Sequence, residues 1–390
     1  MTSRPFSLYV HVPFCAQKCP YCDFNTYATA SIPEARYVTA LCGELDRFSV
    51  DPRFVGRSIQ SVFFGGGTPS LLSPTAIGDI LACADRHFPI GLAAEVTLEA
   101  NPSDCPPERL RGFAAAGVNR VSFGVQSFSN ERLTLLGRDH SADDASRAVR
   151  AAAEAGIANV SVDIIFGVPG QTLHDLERDL VQAVDLPINH LSTYSLTIEP
   201  GTPFFQRQER GLLTMPKDGV VAEMLDFIPA FLTPKGLVRY EISNYAKPGC
   251  ESVHNSAYWI GDDYLGIGAG AHSYVATRRG DRVETGERWS TLALPESYMA
   301  AVEKGSAVSW REHVDSTALQ FEFLYVGLRL VQGVSVAEFE RRFGVSFVSL
   351  YGDTITQLSG DGFLLLEGDT LRLTARGIAV ADSVFEQFVR

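Results

Sequence analysis

No apolar run in this 390-residue chain approaches the roughly 20 residues that a membrane-spanning helix needs. The opening segment, Met-Thr-Ser-Arg-Pro-Phe-Ser, has no apolar signal core and passes at once into a strand-like stretch, so a cytoplasmic protein is expected. Positive charge is also scarce: 33 Lys and Arg face 46 Asp and Glu, for a formal net charge of −13. A nucleic-acid binder would present a basic face, and anionic lipid repels an acidic surface. The small cluster Arg278, Arg279 and Arg282 is interleaved with Asp281, Glu284 and Glu287 and reads as a solvated loop. Neither a nucleic-acid partner nor stable membrane insertion is expected. Cysteines number seven, and four of them, Cys42, Cys83, Cys105 and Cys250, are scattered. In a reducing compartment they are read as buried small apolar side chains rather than a disulfide framework.

The other three, Cys15, Cys19 and Cys22, share one short loop with the spacing C-x3-C-x2-C. Structural zinc takes four ligands and leaves no vacancy; a [4Fe–4S] cube usually takes four cysteines. Zinc would have to recruit His11, which falls inside a strand-like run and would point sideways from the loop. A thiol redox pair does not need the third, upstream cysteine. Three thiolates on a cube leave one iron open. The loop resembles that of radical S-adenosylmethionine (SAM) proteins, where the SAM amino and carboxylate groups take up that position.

The first 235 or so residues alternate between two kinds of segment. Short β-branched or aromatic runs at 7–12, 61–64, 95–99, 120–125, 159–166 and 190–197 predict strands. Amphipathic stretches at 33–48, 73–86, 107–116, 142–155, 173–184 and 219–232 predict helices, with Pro229 expected to kink or end the last. Alternation of this kind argues for parallel strands with crossover helices. Six βα units are too few to close an eight-stranded barrel, so an open, curved partial barrel or a doubly wound sheet is expected.

In such folds ligands collect at the C-terminal strand ends, and here each of those ends is chemically unusual. In order they carry the cysteine loop, Gly65-Gly66-Gly67-Thr68-Pro69, Glu99-Ala-Asn101-Pro102, Gly124-Val-Gln126-Ser127, Asp163 with Gly167-Val-Pro169-Gly170, and Glu199-Pro-Gly201-Thr202-Pro203. Glycines admit a tight turn or a close backbone approach to a ligand. Glu99 is an odd charge for a strand end unless it accepts hydrogen bonds, and a ribose diol supplies two donors. Gln126, Arg138 and Asp163 follow the same logic, since neutral residues would be cheaper to bury. A self-contained salt-bridge network of Glu99, Arg138 and Asp163 is the alternative.

Five runs carry a closer resemblance: Tyr9-Val-His-Val-Pro-Phe-Cys15, the Gly65–Ser70 stretch, Glu99-Ala-Asn-Pro102, Phe123-Gly-Val-Gln-Ser127, and Asp163-Ile-Ile-Phe-Gly-Val-Pro-Gly-Gln171. Together they resemble the HemN/HemW branch of radical SAM proteins over about 7–275, and more loosely beyond. The resemblance implies an α/β fold, a partial (β/α)6 TIM-like radical SAM barrel. It implies that Cys15, Cys19 and Cys22 bind a [4Fe–4S] cluster and that Tyr9 contacts SAM near it. Tyr21 would lie against adenine, and Gly66, Gly67 and Thr68 would cradle the methionine ammonium. Glu99, Gln126, Arg138 and Asp163 fall at the family's SAM or second-ligand positions. An electron donor is implied wherever SAM is reduced.

The branch holds two functions, oxygen-independent coproporphyrinogen III dehydrogenase and a haem chaperone. The dehydrogenase motif has another cysteine two residues after the third ligand, where this chain has Phe24, and a substantial segment before its cluster strand, where this chain has eight residues before Tyr9. Both departures favour the chaperone, with haem and haem-accepting proteins as partners and no dehydrogenase activity. Val253-His254-Asn255-Ser256-Ala257-Tyr258-Trp259 matches the branch's His-Asn-x-x-Tyr-Trp motif, which makes His254, Tyr258 and Trp259 candidate haem contacts. A satisfied histidine in an aromatic turn is the other reading of His254. There is no C-x-x-C-H run for covalent haem. The run Tyr264-Leu-Gly-Ile-Gly-Ala-Gly-Ala-His272-Ser-Tyr274 lacks the strand-to-helix context of a dinucleotide site; it is expected to border the barrel mouth, with His272 as a second candidate haem ligand.

Three parts are expected: the barrel over 1–235, an extension carrying the motif over 236–314, and a small α+β winged-helix-like domain over 315–390. In the last, helix-like runs fall at 321–331, 335–343, 345–358 and 374–389, with a hairpin around Gly368-Asp369. Its surface is not basic, so a lid or protein-docking role is expected of it rather than DNA binding.

Overall fold

A computed structural model of the chain describes residues 4–389. The remaining residues include the first three of the segment that lacks a signal core, which lie outside the described part. Six strands are mutually parallel and adjacent: β1 (Phe6–Val12), β2 (Ile59–Gly66), β3 (Ile90–Ala100), β4 (Arg120–Gln126), β5 (Asn159–Phe166) and β6 (His190–Ser195). Both faces of β1 are buried almost throughout, as a parallel strand covered on each side requires. The crossover helices are α1 (Glu34–Phe48), α2 (Pro74–His87), α3 (Pro107–Ala115), α4 (Ala142–Glu154), α5 (Leu173–Val184) and α6 (Asp218–Leu232).

Local chemistry sets the helix starts. Ser73 accepts from the Ala76 N–H with Pro74 in the first turn, and Ser141 with Asp144 and Thr172 with Asp175 form capping boxes. Pro229 does not itself end the helix. It lies inside α6, which runs on to Leu232 before a 3-10 turn at Thr233–Lys235. Met224, Ile228 and Leu232 are buried on one side of that helix, and their packing outweighs the lost backbone bond.

The sheet does not stop at six strands. β7 (Val238–Arg239) and β8 (Asn244–Ala246) extend it antiparallel beyond β6. On the other side β9 (Tyr264–Ile267) pairs parallel with β1, so the glycine-alternating run is a seventh parallel strand. β10 (His272–Arg279), β11 (Arg282–Thr291) and β12 (Val308–Val314) continue it antiparallel. The twelve strands run β12-β11-β10-β9-β1-β2-β3-β4-β5-β6-β8-β7, and among the described residues the two end strands do not pair, so the barrel is open. Between β8 and β9 lies the seven-residue helix α7 (Val253–Trp259), which carries the His-Asn-x-x-Tyr-Trp motif.

A second core gathers Leu324, Phe339, Phe347, Tyr351, Leu371 and Phe385. It joins α8 (Ser316–Gly327), α9 (Val336–Phe343) and α10 (Phe347–Gly360) to a small antiparallel sheet of Val334–Ser335, Thr370–Leu373 and Leu364–Glu367. That order of elements is winged-helix-like. α8 begins five residues before the expected start because Asp315 caps it through the Ala318 N–H. The last expected helix is broken into Ala375–Ala379 and Ala381–Glu386 at Val380, whose φ of −128° is not helical.

Candidate functional site

The C-terminal ends of β1 to β6 surround a cavity of about 410 Å³. Cys15, Cys19 and Cys22 lie along its wall, brought there by a short parallel ladder between Phe14–Cys15 and Tyr27–Ala28 that brackets the cysteine loop. The glycine loop is tied to the same segment: the Gly67 N–H donates to Val12 O at 2.8 Å and the Thr68 N–H to Phe14 O at 2.8 Å. Gly67 cannot be replaced without movement, since a Cβ there would lie 2.6 Å from Phe14 O.

The three thiols are spread out. Among the described residues only Asp46, Cys83 and His87 bring three ligand atoms within 4.8 Å of one another. Thiolates on one zinc at about 2.3 Å would stand under roughly 4 Å apart. The spacing therefore suits a polynuclear cluster better than a single ion. His11 offers no fourth ligand, because its ring nitrogens are taken by Tyr9 OH at 3.0 Å and by Asn25 O at 3.0 Å.

The groups around the thiols fit an anionic cluster. Thr68 Oγ1 donates to Cys15 Sγ at 3.5 Å and Arg138 Nη1 to Cys19 Sγ at 3.4 Å. Burial pushes the Cys15 and Cys22 thiols above their ordinary range in the absence of metal. The Arg138 Nε is buried without a partner, and its Nη2 is held by Asn101 Oδ1 at 2.6 Å and Gly124 O at 2.9 Å.

Glu99 and Asp163 also face the cavity. Burial raises Glu99 to about 7, with the Asp163 charge adding to the shift and the Gly66 N–H, donating at 3.0 Å, opposing it. Burial raises Asp163 to about 6 against hydrogen bonds from Ser192 and Ser122, the latter at 3.0 Å. No ion pair joins Glu99, Arg138 and Asp163 among the described residues; the two Nη groups of Arg138 go to a thiol, an amide and a carbonyl. The closed salt-bridge network is therefore corrected to two carboxylates with unspent acceptor capacity.

Gln126 lines the same cavity, and its φ of 68° is the one positive value at a non-glycine residue among those described. The register of β4 on β5 shifts between Phe123 and Gln126, so a bulge turns this residue at the mouth. Tyr21 lines the cavity and packs against Phe204 at 6.2 Å between ring centroids.

Tyr9 is not on the cavity wall. It lies beneath, hydrogen-bonded to His11, whose ring underlies Gly66 so closely that a Cβ there would meet it at 2.5 Å. Tyr9 itself lies under Gly65, where a Cβ would meet its ring at 3.0 Å, and it reaches Gly66 through His11. Asn101, from the strand-end run read in the sequence, lines the cavity, as do Ser122 and Tyr194, which were not singled out from sequence. Their signal was position: each sits on or next to the C-terminal half of a parallel strand.

The motif residues lie elsewhere. His254 is 1% exposed, with Nδ1 3.0 Å from Ser61 Oγ, Nε2 2.9 Å from Tyr258 OH, and Phe63 stacked on it at 5.0 Å. Burial depresses it to about 3, so it is neutral. In this arrangement neither nitrogen is free for iron. Tyr258 and Trp259 line a second cavity, of about 420 Å³, between α7, the strands β9 to β11 and the helices α8 and α9. Its walls are largely aromatic, with Tyr264, Tyr274, Phe321 and Phe323, and include Arg288 and Arg342. His272 lines neither cavity and stands 6.5 Å from the Trp310 ring.

Comparison with known proteins agrees with this architecture. The radical SAM superfamily model matches residues 9–182 and the HemN C-terminal domain model residues 314–380. The chain is 37% identical to the heme chaperone HemW of Escherichia coli, with 99% of this chain and 98% of that protein covered. It is 35% identical to that of Lactococcus lactis, over 100% and 98%. Among solved structures, coproporphyrinogen III oxidase (HemN) of Escherichia coli, a radical SAM enzyme, superposes with a TM-score of 0.83 at 23% identity, covering 100% of this chain and 91% of that one.

Proposed function

The chain belongs to the HemW family of radical SAM proteins, and from that premise we propose that it is a haem chaperone, binding haem and handing it to acceptor proteins. The observation that carries this reading is similarity to proteins of that name at 35–37% identity along essentially the whole chain, both extensions included. Radical SAM membership brings with it a [4Fe–4S] cluster and SAM. Cys15, Cys19 and Cys22 hold the cluster in this reading. Gly66, Gly67, Thr68, Glu99, Gln126, Arg138 and Asp163 hold SAM, with Tyr21 against adenine and Tyr9 supporting the glycine loop from beneath. When bound, the pair supplies one-electron reducing chemistry, fed by an electron donor.

Residues of the chain do the rest. Ionised Glu99 and Asp163 accept from hydroxyl or ammonium donors, and Arg138 balances thiolate charge. Phe24, 65% exposed at the rim of the first cavity, stands where the dehydrogenase has a thiol. Haem is assigned to the second cavity. There Tyr258 and Trp259 give a flat wall, and Arg288 and Arg342, ion-paired to Glu322 and Glu338, exchange those carboxylates for propionates. His254 orients the Tyr258 hydroxyl from behind. The three-part division at 1–235, 236–314 and 315–390 follows: barrel for cluster and SAM, extension and C-terminal part together for haem.

The experiment is haem titration of the anaerobically reconstituted protein. One haem per chain is expected, weakened by Tyr258→Ala and Trp259→Ala with the iron content unchanged. Absence of saturable haem binding contradicts the reading.

A further inference from the structure

Two i, i+4 pairs face each other across neighbouring helices. Cys42 and Asp46 lie on α1, and Cys83 and His87 on α2, each pair one turn apart and so on one helical face. A carboxylate oxygen of Asp46, the Cys83 sulfur and a ring nitrogen of His87 all lie within 4.8 Å of one another. His87 Nε2 is 2.6 Å from Asp46 Oδ1, and the Cys83 thiol donates to the Cys42 backbone carbonyl at 3.9 Å, so the two cysteines are neighbours. The burial is graded: Cys83 is 1% exposed, Cys42 and His87 are half-buried, and Asp46 is exposed. The cavity chemistry described above uses none of these four side chains.

We propose that Asp46, Cys83 and His87 form a zinc-type divalent metal site that fastens α1 to α2, with the neighbouring Cys42 thiol, which lies outside that three-atom group, turning in as the fourth ligand. Two thiols, an imidazole and a carboxylate are the donor set of four-coordinate zinc, and soft thiolates disfavour magnesium or calcium. The Asp46, Cys83 and His87 grouping matches a single ion in a way the three dispersed thiols of the cysteine loop do not. Metal binding replaces the short Asp46–His87 contact by two bonds to the ion. The neighbouring Arg86 side chain is exposed and swings outward as the cation enters.

The position gives the site a consequence. α1 follows the cysteine loop and α2 follows the glycine loop. Their N-terminal ends are already fastened, since the Ser73 N–H donates to Glu34 Oε2 at 2.6 Å and Ser73 Oγ to Glu34 Oε1 at 2.8 Å. A metal at the opposite ends pins the pair at both ends and fixes the spacing of the two loops they follow.

The test uses the full chain, anaerobically loaded with its cluster and freed of loose metal. Zinc is titrated in competition with a chromophoric chelator, and zinc and iron per chain are measured by elemental analysis. One zinc per chain is expected, together with a zinc-dependent rise in Tm. Each of His87→Ala, Asp46→Ala, Cys83→Ser and Cys42→Ser should lower zinc affinity at least about tenfold, the lower end of what losing even an outer-shell partner costs, with iron content and the visible cluster spectrum unchanged. His87 and Asp46 reach the surface, so those variants fold even where a cysteine replacement does not. Equal zinc affinity in the parent and His87→Ala, or a Cys42–Cys83 disulfide with no bound zinc, overturns the proposal.

Discussion

A carboxylate oxygen of Glu95, on β3, lies 3.0 Å from the backbone N–H of His254, at the start of α7. The same carboxylate accepts from the Val253 N–H at 3.1 Å and Ser252 Oγ at 3.3 Å, and pairs with Arg120 Nε at 2.7 Å. Arg120 in turn donates to the carbonyls of Cys250 and Glu251. Glu95 and Arg120 are both nearly inaccessible, so this pair clamps the segment that carries the aromatic motif to the barrel.

Glu95→Ala therefore leaves a buried guanidinium unpaired and should cost about 3–5 kcal/mol of stability. Chemical denaturation measures it. Haem retention should fall in parallel, because Tyr258 and Trp259 lose their anchor. Glu95→Gln keeps acceptor capacity and should lie between the two. Stability of Glu95→Ala equal to the parent contradicts this account of the clamp.

Replacing Cys15, Cys19 or Cys22 by Ala should remove the broad visible absorption and the bound iron of reconstituted protein. Cys105→Ala should retain both, since Cys105 is buried at 3% exposure away from the loop. Zinc in place of iron in anaerobically purified protein would count against the cluster assignment.

Glu99 and Asp163 make a pH prediction. Their folded-state pKa values, about 7 and about 6, lie above the ordinary carboxylate range. The folded protein then holds more protons than the unfolded chain between about pH 4 and 7. Their contribution to stability is present below about pH 4 and is lost as pH rises through 6 and 7. Over that range Glu99→Gln should flatten the stability curve, by on the order of 1–3 kcal/mol. SAM donors favour the ionised form, so SAM affinity should rise from pH 5 to pH 8. Glu99→Ala should weaken it by about 1–3 kcal/mol; equal SAM affinity with the cluster intact removes Glu99 from the site.

Gln126 holds a left-handed backbone that glycine adopts freely. Gln126→Gly should relieve on the order of 1 kcal/mol of strain while weakening SAM binding. A thermal melt paired with a SAM titration separates the two effects. A variant both less stable and unchanged in SAM affinity contradicts the site role.

Much of this was legible in the chain. The six parallel strands and their helices follow from periodicity, and the cavity follows from the polar residues stranded at their C-terminal ends. What was hidden depended on tertiary partners. The glycine alternation at 264–274 has no strand signature of its own, and only pairing with β1 makes Tyr264–Ile267 a strand. Tyr9 and His254 look like ligand contacts in sequence, yet each is engaged with neighbours whose proximity no spacing reveals: His11 for one, Ser61 and Tyr258 for the other. Cys42 and Cys83 look like fillers until α1 and α2 are laid side by side.

The most direct test of the chaperone reading runs two assays on one preparation, carrying a full cluster, SAM and a reductant. Stoichiometric haem binding, transfer of that haem to an acceptor protein, and no protoporphyrinogen IX formed from coproporphyrinogen III are predicted. Measurable conversion of coproporphyrinogen III, with no haem retained, would contradict it.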